Sequence, residues 1–167
     1  MGVQPVFLVI IDISGYTRFI QFHRSSLLHA ERIICDLLES VIDCSTTPLV
    51  VHEILGDAVT FYATSDGSEA MANAIRRQVN AFFATFRARE AKLISDCSLC
   101  LCDACSRIGS LKLKAVLHHG EAVFNQVSGF QKIAGEDVIL AHRLLKNSIS
   151  MDEYILESES FYNLGGE

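Results

Sequence analysis

Asp12 and Asp57 are the residues whose type and setting point most directly to chemistry. Asp12 lies in FLVIIDISGYTRFI, residues 7–20, where five apolar residues run straight into a charge and then Ser14, Gly15 and Tyr16. Asp57 belongs to Gly56-Asp57, between LVVHEI and AVTFYA, a pattern that reads as a β-hairpin with the pair as its turn. If these strands are neighbours in one sheet, the two carboxylates meet at one end of it. Two such groups repel each other and lose hydration unless a cation lies between them. A hard cation such as Mg²⁺ takes oxygen ligands from a few protein groups and the rest from phosphates and water. Ser14, Gly15 and Tyr16 then open a helix whose free N–H groups bind phosphate oxygens. The plainer alternative makes Asp12 a helix cap and Asp57 a turn former. Taken together, the two motifs favour a metal held against a triphosphate.

The second chemical feature is DCSLCLCDAC, with Cys97, Cys100, Cys102 and Cys105 in the pattern Cys-x2-Cys-x-Cys-x2-Cys. Thiolates at such spacing suit Zn²⁺. Zinc sites usually separate their ligand pairs by a longer loop, so one mononuclear site built from these four is strained. A site shared between subunits, an iron–sulfur cluster, a disulfide and plain reduced thiols all stay open. Cys35 and Cys44 read as small hydrophobes of the core. His118 and His119 precede what reads as a tight turn at Gly120; they point to opposite faces of a strand and read as structural or solvated. His23, His29, His52 and His142 show no partner pattern.

These residues need elements to hold them. Residues 6–13 read as a buried strand, 16–23 as a short helix, and 26–43 as an amphipathic helix carrying Leu27, Ala30, Ile34, Leu37, Leu38 and Val41. Pro48 breaks the chain before the hairpin. Met71, Ile75, Val79, Phe82, Phe83 and Phe86 mark a long core helix from about residue 67. LKLKAVLHH and EAVFNQV read as two strands around Gly120, residues 136–147 as a helix, and EYILES as a last strand. The order β-α-α-β-β-α-β-β-α-β predicts an α+β sandwich with helices packed on one sheet.

Composition narrows the function classes. The 167 residues suit a single domain, residues 1–167, with a Cys-rich insert at about 95–110, and half of them are hydrophobic. A net charge of −6 without a run of Lys or Arg argues against nucleic acid or an anionic membrane as partner. The apolar run at residues 6–11 is too short to cross a bilayer and follows no basic segment, so a cytoplasmic protein is expected.

In four places, in order over residues 6–147, the chain resembles the class III nucleotidyl cyclases. IDISGYTRF resembles their first-strand motif, and HEILGDAVTFY their hairpin motif. LKLKAVLHHGEAV is similar to the strand that ends in a His-x-Gly turn, and GFQKIAGEDVILAHRLLKNS to the segment with a helical Ala-x-Arg. The insert followed by LKLKAVLHHGE also resembles a bacterial branch of unknown function. The resemblance implies a ferredoxin-like cyclase fold acting as a homodimer with sites between subunits. It implies that Mg²⁺ or Mn²⁺ binds Asp12, Asp57 and the carbonyl of Ile13. The ribose 3′-hydroxyl then attacks the α-phosphate, pyrophosphate leaves, and Arg143 stabilises the transition state. Glu53 and Lys132 match the base-reading pair. Glu53 resembles guanylate cyclases, Lys132 is unusual there, and the two could pair with each other.

Departures accompany the match. Ile139 stands where the family has a ribose-orienting asparagine, and no late hairpin supplies the family's phosphate-binding lysine. Three functions follow in order: a divergent cyclase acting on an NTP, a catalytically silent nucleotide-binding or regulatory module, and a metal-stapled interaction domain.

Overall fold

The computed structural model describes residues 2–22, 27–64 and 66–165. Its centre is β1, Val3–Ser14, which pairs antiparallel with β3, Ala58–Thr64, on one side and β4, Lys112–Val127, on the other. β2, Val50–Leu55, forms the edge beside β3, and β5, Phe130–Ala134, the edge beside β4. β6, Tyr154–Glu157, runs parallel to β4, whereas the other strand pairings among the described residues are antiparallel. The architecture is the expected α+β arrangement of helices on a mostly antiparallel sheet.

β1 is apolar without alternation because both of its faces are covered. Phe7, Val9, Ile11 and Ile13 enter the main core under α2, Leu27–Asp43, and α3, Glu69–Asp96. Val6, Leu8 and Ile10 face a smaller core under α5, Glu136–Leu144. Asp12 continues this second series, one step past the last apolar residue. The charge that interrupts the run therefore lies on the α5 side of the sheet, where the smaller core ends.

α3 keeps the expected core face. Ile75, Val79, Phe82, Phe83 and Phe86 are buried as expected, Ala72 joins them while Met71 is only half-buried, and Ser68 caps the first turn through Met71 N–H. Phe82 stacks on Phe61 of β3 at 5.2 Å between ring centres. α1, Tyr16–Phe22, precedes α2, and residues 23–26, assigned above to helix ends, lie outside the described residues, as does His23.

Three expectations are corrected. Gly120 is no turn: β4 runs through it unbroken, and the hairpin to β5 turns at Ser128-Gly129 instead. The strand continues because β1 begins at Val3 and keeps pairing with β4 as far as Val123. A side chain at Gly120 would collide with Asp137 of α5, a close-packing reason for glycine that sequence alone mistakes for a turn. Cys35 is exposed on α2, and Cys44 is only half-buried, with its sulfur accepting the Thr85 hydroxyl at 3.3 Å. The helix read as 136–147 ends at Leu144.

Candidate functional site

Asp12 and Asp57 line one hollow of about 330 Å³ together with Ile13, Gly15, Tyr16, Thr17, Arg18 and Lys114. Two local pairings bring them there. Asp12 lies opposite Ala58, the first residue of β3, so the β2–β3 turn folds over the end of β1. Gly56 takes φ +61°, which the tight turn needs, and Ile13 N–H donates to the Asp57 carbonyl at 3.3 Å, clipping turn to strand. Gly15, at φ +91°, turns the chain out of β1, and its carbonyl accepts the Phe19 N–H at 2.8 Å to start α1. Ser14 is buried beneath this turn. The Tyr16 hydroxyl donates to Glu31 at 3.3 Å, and burial, then the Glu31 charge, raises its pKa.

The electrostatics of the pair are unequal. Lys114, opposite Asp12 across the β1–β4 ladder, places Nζ 2.9 Å from Asp12 Oδ2. Asp57 has no such ion pair among the described residues. Burial and then the charge of Asp12 push its carboxyl up to about 6, more than its own backbone N–H and Lys114 offset. The hollow thus holds one carboxylate in a direct ion pair and one only partly compensated. Arg18 is a second cation on its lining, and among the described residues it forms no ion pair. Sequence reading passes over both cations. Lys114 was legible only through the strand register, and Arg18 carries no signal beyond lying three residues after Gly15.

The donors present fit a hard divalent ion. Asp12, Asp57 and the backbone carbonyl of Ile13 offer oxygens only, as Mg²⁺ or Mn²⁺ requires.

Other expected residues are spread more widely. Glu53 is exposed on β2 opposite Thr60. A bulge between Val51 and Glu53 shifts the register there, so Glu53 comes onto the Asp12 face while Val51 stays with the main core. Lys132 is exposed on β5, opposite Asn125 and next to Ile133, which buries toward α5; alternation turns Lys132 to the other face. No ion pair joins Glu53 and Lys132 among the described residues. Arg143 is exposed near the C-terminal end of α5, with no ion pair among the described residues, and Ile139 is exposed on the same helix.

The histidines separate. His118 is buried, with Nδ1 2.9 Å from Ser158 Oγ and Nε2 3.1 Å from Asp137 Oδ1. Asp137 also accepts the Glu121 N–H at 2.7 Å, so the network ties α5 and the start of α6, Glu159–Tyr162, to the middle of β4. His119 packs on Phe7, ring centres 4.8 Å apart. His29 is unexpected: its ring reaches the cysteine segment. The ligand atoms of His29, Cys100, Cys102 and Cys105 lie within 4.8 Å of one another, and Cys97 falls outside the group. Backbone N–H of Cys105 and the His29 ring hold the Cys102 thiol down to about 6, whereas burial and neighbouring thiols raise Cys105.

Comparison with known proteins places the chain. Residues 34–154 match the family described as "Protein of unknown function (DUF2652)". The chain belongs to this family. The DUF2652 chain is 32% identical over 126 residues to an uncharacterized protein of Mycobacterium tuberculosis, an alignment covering 75% of the chain and 57% of that relative's length. Its fold is that of class III nucleotidyl cyclase domains. The adenylyl cyclase CyaB from P. aeruginosa superposes with a TM-score of 0.71 at 15% identity, over 98% of this chain and 81% of that one. The guanylyl cyclase Cya2 gives 0.73 at 13% identity, over 99% and 80%. A class III adenylyl cyclase-like ATP-binding protein from Pseudomonas aeruginosa gives 0.74 at 16%, over 97% and 35%. Among the described residues no helix is long and apolar enough to cross a membrane.

Proposed function

We propose that this DUF2652 chain is a divergent nucleotidyl cyclase, binding a Mg²⁺ or Mn²⁺ complex of an NTP at the Asp12–Asp57 hollow and forming a 3′,5′-cyclic nucleotide and pyrophosphate. The observation that carries the reading is the convergence of Asp12, Asp57 and Ile13 on one hollow that Arg18 also lines. The two carboxylates and the Ile13 carbonyl hold the cation, and Arg18 faces the triphosphate. When bound, the ion supplies activation of the ribose hydroxyl and charge neutralisation at phosphate. Ser14, Gly15 and Tyr16 shape the turn beside the phosphates, and Glu53 meets the base from the same face. Lys132 is assigned to the base only through its sequence match, and its place on the other face leaves it outside a pocket built by one chain. Arg143 acts on the phosphate of a partner subunit in a head-to-tail homodimer, offsetting charge that develops in the reaction. α5 supports this, because it lies on the Asp12 side of the sheet and presents Arg143 without an ion pair among the described residues.

A second reading, a catalytically silent nucleotide-binding module, is favoured by two observations. Lys114 already compensates Asp12, and Ile139 offers no hydrogen bond to a ribose. Incubation of the full chain with each NTP and Mn²⁺, followed by mass spectrometry, separates the readings. Cyclic product supports the cyclase. Mn²⁺-dependent binding without product moves the conclusion to the silent module, and absence of both overturns the two together.

A further inference from the structure

We propose that His29, Cys100, Cys102 and Cys105 form a structural zinc site that staples the first turn of α2 to the segment following α3. The inference stands independently of the nucleotide reading. His29 Nδ1 lies 3.4 Å from Cys102 Sγ, 3.7 Å from Cys100 Sγ and 3.8 Å from Cys105 Sγ. In a tetrahedral zinc site with ordinary Zn–N and Zn–S bonds, neighbouring ligand atoms are about 3.5–3.8 Å apart. The three His29–sulfur separations match the edges of such a site, and all four ligand atoms lie within 4.8 Å of one another.

Chain geometry explains the choice of ligands. Cys-x-Cys and two Cys-x2-Cys steps in nine residues cannot easily wrap one ion unaided. Taking one corner from α2, more than 70 residues away in sequence, relieves that strain. Cys97 is instead the residue that closes α3: its N–H bonds to the Leu93 carbonyl, and its own carbonyl accepts the Cys100 N–H. Its thiol lies near Cys105 but outside the four-atom group. Cys102 begins α4, Asp103–Ser106, and Cys105 is buried in the main core with Ala104 and Ile108, so two corners are fixed by packing.

In the zinc-bound site the three cysteines are thiolates and His29 is neutral, with its proton on Nε2. The site then carries one net negative charge. The adjoining hollow is lined by His29, Cys97 and Cys105 together with Arg32, Asp96 and the Arg89–Asp36 ion pair. All four positions are taken by protein, which marks the site as structural. What it braces is visible: the carbonyl of Ser110, five residues past Cys105, lies 3.3 Å from where a Gly15 side chain would begin. The stapled segment thus supports the turn that follows Asp12.

The test is the metal content of the full chain, purified without chelator and measured by plasma mass spectrometry. The expected result is about one zinc per chain in the parent and in Cys97→Ser, and loss of zinc in His29→Ala and Cys102→Ser. Because His29→Ala could fail to fold, His29→Cys provides a second arm. It should keep the metal, and after Co²⁺ exchange its thiolate-to-cobalt absorption should rise by about a third as three thiolates become four. Zinc retained in His29→Ala but lost in Cys97→Ser would establish a four-cysteine site and overturn the proposal. Iron with visible cluster absorption, or a parent that takes up no zinc on reconstitution, would overturn it equally.

Discussion

Asp57→Asn tests the electrostatics of the hollow with opposite outcomes for folding and for binding. In the folded chain the Asp57 carboxyl is pushed up from the usual carboxylate value to about 6, by burial first and by Asp12 second. The native state therefore binds this proton more tightly than the unfolded chain, and stability falls as pH rises between about 4 and 6. Below the unfolded value the penalty is absent, and above about 6 it is fully present. A shift of two pH units corresponds to about 2.7 kcal/mol, and because Asp57 is only half-buried, solvent screening reduces this to about 1–2 kcal/mol. Asp57→Asn removes the charge and keeps the shape. At pH 7.5, in buffer without Mg²⁺ or Mn²⁺, the variant should melt about 2–6 °C above the parent, and the gap should close near pH 4. Adding millimolar Mn²⁺ should raise the parent's melting temperature through binding and leave the variant unmoved. Differential scanning calorimetry at both pH values reads the result. A variant less stable than the parent at pH 7.5, or an equal response of both to Mn²⁺, refutes the reasoning.

Lys114→Gln removes the partner of Asp12, so urea unfolding should show stability lower by about 1–2 kcal/mol, and isothermal titration should show tighter Mn²⁺ binding, since no ammonium competes for the carboxylate. For the dimer, Asp57→Ala and Arg143→Ala chains should each be inactive alone and regain one working cleft when mixed, read as cyclic product. Absence of recovery in demonstrated mixed dimers of an active parent refutes the shared site. Phe82→Ala should cost about 3–5 kcal/mol in urea unfolding, because it empties the stack on Phe61. Burial raises the Asp137 carboxyl, but the Glu121 N–H and His118 outweigh it and hold the group below its usual value. Its contribution is therefore present above the unfolded value and lost as acid titrates it below about pH 4; Asp137→Asn should flatten that part of the stability curve.

What the sequence made legible was local or periodic. The Gly56-Asp57 turn and the charge that interrupts the apolar run of β1 are written in a few adjacent residues, and the α3 core stripe in a helical period. What escaped depended on register or distance. Gly120 resembles a turn because the close approach of Asp137 leaves no local trace. Glu53 reaches the Asp12 face only through a bulge, which no alternation pattern announces. His29 meets three cysteines more than 70 residues away in sequence, and an isolated histidine on an amphipathic helix gives no sign of that. Lys114 is one of several lysines until β4 is laid beside β1.

The central claim is tested most directly by titrating a nucleoside triphosphate into the full chain with and without Mn²⁺, for the parent and for Asp12→Ala and Asp57→Ala, with zinc kept present throughout. The account predicts saturable binding by the parent that requires Mn²⁺ and falls at least tenfold in both variants, while all three chains still melt in one cooperative transition that shows them folded. Binding that survives intact in both variants, or that is indifferent to Mn²⁺, would contradict it.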